Sequence, residues 1–372
     1  MMPSSFGFLA LVALATLAPV GAALADALGA VETERFTTRD FRLESGTVLP
    51  ILTVAYETHG KLAPDGRNAV LLTHGYTSSH HMAGRSANGA EGSWSGLVGP
   101  GKAIDTDRLF VVASNMLGSS YGTSNPASID PRTGKAYGPD FPEFSLVDIV
   151  GAQRALLAHL GVRHLVAVAG PSYGGYQAFQ WGVTYPDFMD GVVAVVSAPK
   201  GGGDISALGT LVARLAKDPN WNGGRYYENG GMADTLTDMR VDTLKLYGIE
   251  AQLASKFPDA TAREAEVRRV AGVWAREFDA NSLVVLRSAS IRFNAEKDFP
   301  KLKARVLYVL SRTDRLFPPA IAPGVMARLK AAGVQADYFE IDSELGHSAS
   351  GLDAAKWAPR LEAFMAELAA GG

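Results

Sequence analysis

Between Phe41 and Val196 short β-branched runs alternate with helix-periodic segments, and this alternation restricts the possible folds more than any other feature of the chain. Val48–Tyr56, Ala69–Thr73, Leu109–Ser114 and Leu165–Ala169 read as strands, each an apolar run bounded by turn residues. Phe144–Leu160 reads as a helix, because Leu146, Ile149, Ala152, Leu156 and Leu160 recur at near-helical spacing and Gly161 follows its end. Repeated strand-helix units predict an α/β fold with a mostly parallel sheet and helices on both faces. After a strand at Val192–Val196 the chain turns helical, with candidates at Ile205–Ala216, Ala233–Leu246, Ala262–Phe278 and Ser282–Phe293. Strands resume at Ala304–Leu310 and Ala336–Ile341, with a helix at Pro323–Ala332 between them and a closing helix at Ala354–Ala369. The expected organisation is therefore an α/β core in two parts, 26–197 and 303–372, interrupted by a helical lid, 198–302. Such an insertion lies over the C-terminal strand ends, where open α/β sheets bind ligands.

The formal charge of −3, from 35 Lys+Arg against 38 Asp+Glu, comes without any basic block that could track a phosphate backbone, so nucleic acid is not an expected partner. Cysteine is absent, which excludes disulfides, thiolate nucleophiles and Cys-containing metal sites. Phe6 to Val20 is apolar, Ala23-Leu24-Ala25 is a small-x-small site, and the first charged side chain is Asp26. Residues 1–25 accordingly read as a signal peptide cleaved before Asp26, which places the mature chain in the periplasm or outside the cell without stable membrane association.

Gly170-Pro171-Ser172-Tyr173-Gly174-Gly175 stands between the strand Leu165–Ala169 and a helix expected at Tyr176–Val183. A strand-to-helix turn with small residues two positions either side of a serine is the context that exposes its Oγ as a nucleophile. A serine hydroxyl needs a base to take its proton and an acid to orient that base. With this elbow both partners follow the serine in chain order, and His347 is the one histidine C-terminal to Ser172. Asp314, in the loop after the strand ending at Leu310, is the preferred acid; Asp342, five residues before His347, is the alternative. The oxyanion needs two backbone N–H donors, assigned to Tyr173, next to the nucleophile, and to Tyr76, after the strand ending at Thr73. Trp94, Tyr121 and Arg240 are candidate substrate contacts. His74, His80 and His81 do not have the spacing of a zinc site, and neither metal nor cofactor is expected.

The blocks "YETHGKL", "GLVGPGKAIDTDRLFVVASNMLGSSYGTSNPASIDPRTGKAYGPDFP" and "GPSYGGYQAFQW" resemble those of the homoserine O-acetyltransferase family of α/β-hydrolases, with weaker likeness at "DPNWNGGRYY" and "FDANS" and recovery at "SRTDRLFPP" and "GH". The resemblance implies the α/β-hydrolase fold, puts Ser172, Asp314 and His347 on the family triad, and implies that the insertion is a lid that can also form a homodimer interface. Departures from the family pattern bear on the acceptor. His74-Gly75-Tyr76-Thr77-Ser78 replaces His-Ala-Leu-Thr-Gly, Tyr173 replaces a Met, and Ser348 stands where the family carries the Asp that receives the homoserine amino group. The family's Ala-Arg-Met segment, whose Arg serves the substrate carboxylate, has no clean counterpart, although Arg240 is a substitute. A neutral hydroxyl cannot pair with an ammonium as a carboxylate does. With the leader, which would separate the protein from cytoplasmic acetyl-CoA, this favours a serine ester hydrolase acting on a small to medium acyl ester. An O-acyltransferase using acetyl-CoA is the alternative, and a non-catalytic binding module on the same fold is a third reading.

Overall fold

The computed structural model describes residues 28–86 and 91–371, so the expected leader lies outside the described residues. Eight strands form the main sheet: β1 (Glu34–Arg42), β2 (Val48–His59), β3 (Ala69–Thr73), β4 (Phe110–Ser114), β5 (Leu165–Pro171), β6 (Met189–Val195), β7 (Arg305–Ser311) and β8 (Ala336–Ile341). Their spatial order is β8-β7-β6-β5-β3-β4-β2-β1, parallel from β8 to β4, with β2 antiparallel to both β4 and β1. Every residue of β3 is buried. Leu71 faces a core shared with α1 (Leu146–His159), α2 (Tyr173–Thr184) and α8 (Ala322–Ala331), whereas Val70 and Leu72 face one shared with α10 (Ala358–Gly371). Burial of both sheet faces is why these strands read as continuous apolar runs rather than alternating ones.

The chain leaves β3 to one side, forms β4, and returns to the other side as β5, with Val168 of β5 beside Leu71 of β3. At such a reversal the connections diverge and leave a crevice beyond the C-terminal strand ends. Thr73 and Pro171 end the two strands that flank it, which puts His74-Gly75 and Ser172 at its floor.

Between β6 and β7 the chain forms α3 (Ile205–Leu215), α4 (Ala233–Leu246), α5 (Ile249–Leu253), α6 (Ala260–Ala275) and α7 (Ala280–Ile291). Val241 and Leu244 of α4 pack on Val267 and Ala271 of α6, giving this helical insertion an apolar centre of its own. Asp279 anchors it to the sheet domain. Its carboxylate accepts from Ser282 N (2.7 Å) and the Tyr226 and Tyr227 hydroxyls, while its own N–H donates to Ser120 Oγ at 2.9 Å.

Several elements depart from the sequence reading, the short helices α5 and α9 (Ala349–Leu352) among them. β1, a polar edge strand, becomes legible only through its register with β2, where Phe36 faces Val54. The closing helix starts later than expected: Ala354–Lys356 form one 3-10 turn, Trp357 is fully buried, and α10 runs from Ala358, preceded by the short α9. α2 starts three residues earlier than expected, immediately after Ser172.

Candidate active site

Ser172 has φ 57° and ψ −121°, a conformation an L residue holds only when its surroundings impose it. Those surroundings are specific. Its N–H donates to Val195 O at 2.8 Å, its carbonyl accepts from Ser197 Oγ at 2.6 Å, and Thr73 Oγ1 donates to Gly174 O at 2.9 Å. A Cβ on Gly170 would stand 2.2 Å from Thr73 Oγ1, and one on Gly174 2.2 Å from the Thr73 carbonyl oxygen. Only glycine lets the turn sit this close to β3, and the sharp turn turns the Ser172 side chain out of the sheet into the crevice.

His347 lies in the loop after β8 and Asp314 in the loop after β7. His347 Nδ1 donates to Asp314 Oδ2 at 2.9 Å, and Leu316 N–H donates to Asp314 Oδ1 at 2.8 Å. Both side chains are buried. With Nδ1 carrying the proton, Nε2 is the lone-pair nitrogen, the form a general base requires. The alternative acid, Asp342, is turned to solvent and paired with Arg312 at 2.6 Å. Of the two carboxylates considered, Asp314 is therefore the one brought to His347.

Opposite the elbow, Gly75 approaches so closely that a Cβ there would lie 3.6 Å from Ser172 Cβ. The Gly75–Tyr76 peptide is held by His74. Met116 N–H donates to His74 Nε2 at 3.0 Å, so the ring proton is on Nδ1, which donates to Gly75 O at 2.8 Å. Because the N–H and C=O of a peptide unit point in opposite directions, pinning the Gly75 carbonyl aims the Tyr76 N–H away from His74. Burial pushes the His74 pKa down to about 4, which keeps this neutral tautomer. The Tyr76 and Tyr173 rings stack at 6.0 Å, and their hydroxyls donate to the α7 carbonyls of Leu283 (2.5 Å) and Leu286 (3.1 Å).

Ser172, His347, Ser348, Trp94 and Arg240 line one cavity of about 340 Å³. A second cavity of about 220 Å³ reaches Ser172 from the α2 side and is lined by Tyr176, Phe317 and Arg287, with Tyr247 lining both. Arg240 is half-buried: Nη1 donates to Thr77 Oγ1 at 2.7 Å, the guanidinium carbon lies 5.0 Å from the Trp274 ring centroid, and Nε is buried without a partner. Burial lowers its pKa. Trp94 is fully buried with its indole N–H on Ser350 Oγ at 3.4 Å, so it forms cavity wall as much as core. Tyr121 lines neither cavity and packs edge-on against Phe278 of the insertion. Of the histidines considered for a metal, His80 bonds Thr33 and lies 3.7 Å from the Glu57 carboxylate, His81 meets the same carboxylate, and His74 serves the Gly75 loop. Among the described residues no three His, Cys, Asp or Glu side chains converge as a metal site.

Sequence reasoning missed Tyr247, Phe317 and Arg287. Phe317 sits in the "RTDRLFPP" loop already singled out for Asp314, and its proximity to His347 follows from that loop. Tyr247 and Arg287 carry no local signal, since their place depends on how the insertion folds over the sheet.

Residues 68–353 match the family model described as α/β hydrolase fold. A homoserine O-acetyltransferase of Geotalea daltonii is 34% identical over 361 residues, covering 91% of this chain and 98% of that protein. One of Moorella thermoacetica is 35% identical over 370 residues, covering 92% and 98%. Among solved structures, the homoserine O-acetyltransferase of Bacillus anthracis has 27% identity and a TM-score of 0.82, covering 91% of this chain and 98% of that one. Esterase E22 has the same TM-score of 0.82 at 27% identity, covering 90% and 100%. Enzymes of two names thus share this architecture to the same degree, while the two sequence relatives above carry one of them. On both the matched fold model and these full-length relatives, the chain belongs to the homoserine O-acetyltransferase family of α/β-hydrolases.

Proposed function

We propose that the protein is an O-acyltransferase that works through an acyl-enzyme on Ser172 and passes the acyl group to an alcohol bearing a carboxylate, of the homoserine class. The observation that carries the chemistry is a single constellation: Ser172 on its φ 57° elbow shares a cavity with His347, whose Nδ1–H is held by Asp314 at 2.9 Å. In this reading His347 Nε2 takes the Ser172 hydroxyl proton as Oγ attacks the donor carbonyl. The Tyr76 and Tyr173 amides receive the negative charge that develops on oxygen, and the leaving thiolate or alkoxide departs with the proton from His347. The acceptor hydroxyl then repeats these steps in reverse. Arg240 supports a carboxylate-bearing acceptor, since its buried Nε has no partner and its charge is not paired with any acid that lines the cavity. The full-length relatives named homoserine O-acetyltransferase support the same acceptor class.

Ester hydrolysis is the second reading, favoured by a specific residue. Ser348, beside the base, offers an ammonium no charge, and its Oγ is directed to the Tyr247 carbonyl at 3.4 Å. The architecture shared with esterase E22 supports the same reading. Location separates the two, because a chain exported and cleaved before Asp26 would meet esters rather than acetyl-CoA. N-terminal sequencing of the cell-made protein tests that export proposal, an intact Met1 in a cytoplasmic fraction contradicting it. For the activity, purified protein is given acetyl-CoA with and without homoserine. The transferase predicts O-acetylhomoserine forming faster than free acetate, and Ser172→Ala abolishing both; acetate alone, unaffected by homoserine, would leave hydrolysis as the reading.

A further inference from the structure

We propose that Tyr247 is a positioning residue for His347 and that Arg240 acts on the base through the Tyr247 ring. The inference rests on the acyl-enzyme reading above but not on the identity of the acceptor. Tyr247 immediately follows α4 on the insertion, and its ring centroid lies 4.7 Å from that of His347. Phe317, on the Asp314 loop, stacks on the same imidazole at 5.7 Å. Asp314 fixes one nitrogen, but a single hydrogen bond leaves the ring free to swing about it. The two neighbouring aromatic rings, one from the sheet domain and one from the insertion, restrict that swing.

The contact is reinforced along the backbone. Ser348 Oγ donates to the Tyr247 carbonyl at 3.4 Å. Gly248, at φ 89°, and Gly346, at φ 56°, let the two chains meet without side chains between them. A Cβ on Gly248 would stand 3.2 Å from Leu345 O, and one on Gly346 would stand 3.2 Å from Tyr247 O. Whatever displaces the end of α4 therefore displaces the loop that carries the base. Arg240 lies two helical turns before Tyr247 on the same stripe of α4, and its guanidinium carbon is 5.8 Å from the Tyr247 ring centroid. The cation thus lies beside the Tyr247 side chain that packs on the base, and Tyr247 walls both cavities at Ser172. A carboxylate that draws Arg240 would bear on His347 through this ring, linking acylation to an anion held elsewhere in the site.

The test uses the full-length protein and the p-nitrophenolate burst from p-nitrophenyl acetate, a neutral ester that reports acylation whatever the acceptor is. Tyr247→Ala should slow the burst by about 10-fold or more, the scale of a misplaced catalytic group, with little change in the ester's KM. Tyr247→Phe, which keeps the ring, should stay within about threefold of wild type on the same reasoning. Arg240→Gln should slow the burst even though this ester offers no carboxylate, and its effect should vanish in the Tyr247→Ala background. Equal losses in Tyr247→Phe and Tyr247→Ala, or strictly additive effects of the two positions, would each overturn the proposal. If the wild type releases p-nitrophenolate no faster than Ser172→Ala, the acyl-enzyme reading fails, whereas a Ser172-dependent release that Tyr247→Ala leaves unchanged overturns the Tyr247 proposal alone.

Discussion

Ser348 is where one side chain decides most. It occupies the cavity beside the base, carries no charge, and spends its hydroxyl on the Tyr247 carbonyl. A carboxylate there would pair with the amino group of an amino-acid acceptor, and a hydrogen bond to a charged group contributes about 1.5–3 kcal/mol. Ser348→Asp should therefore lower the KM for homoserine by about 10-fold or more, measured from the rate of O-acetylhomoserine formation against homoserine concentration. An unchanged homoserine KM would mean that the amino group is not recognised at this position. At this scale the sequence was informative where chain order and spacing constrain chemistry: Ser172, Asp314 and His347 were each named from elbow, loop and order, and the latter two are hydrogen-bonded at 2.9 Å. It was silent on Tyr247, because a contact between an insertion helix and a loop a hundred residues on leaves no local pattern. Tyr121 was named among the aromatics suggesting an aromatic-lined pocket, and its ring packs edge-on against Phe278 of the insertion.

Secondary-structure elements were legible in proportion to their burial. β3, β5 and β6 announce themselves as apolar runs since both faces are covered, whereas the polar edge strand β1 shows neither alternation nor a run. The β5–α2 elbow is the element that turns fold into reactivity, and it is the least tolerant of change. Gly174→Ala would press a methyl to 2.2 Å from the Thr73 carbonyl oxygen, a contact with backbone that cannot yield. Overpacking of this kind costs about 1–3 kcal/mol and moves the backbone that causes it. Thermal unfolding should show the loss of stability, and the acylation burst should fall further than the stability loss alone explains. A variant that keeps both would contradict the claim that the close approach of β3 sets the elbow.

Across the whole molecule, buried histidines tie stability to pH. Burial holds His59 and His74 down to about 4, and His80 down to about 3, whereas a histidine in the unfolded chain titrates near 6.5. Below about pH 6.5 the unfolded chain therefore binds protons that the folded one refuses, and stability falls as the pH is lowered toward 4. The melting temperature should be level above pH 7 and decline through that window; a level profile down to pH 4 would contradict the burial of these rings. The same interior arrangement makes the fold and the site inseparable. The sheet reversal brings β3 and β5 together, the His74 tautomer holds the Gly75–Tyr76 peptide beside Ser172, and the insertion closes the crevice from above with Arg240 inside it. These features support a covalent acyl-enzyme whose acyl group is handed to a carboxylate-bearing alcohol.

The most direct test of that account is to form the acetyl-enzyme with acetyl-CoA, remove the donor rapidly, and follow its discharge by intact-protein mass spectrometry with and without homoserine. The account predicts one acetyl increment on the wild type and none on Ser172→Ala, and a discharge that homoserine accelerates with O-acetylhomoserine as product. An increment that persists in Ser172→Ala, or a discharge to acetate at a rate homoserine does not change, would contradict it.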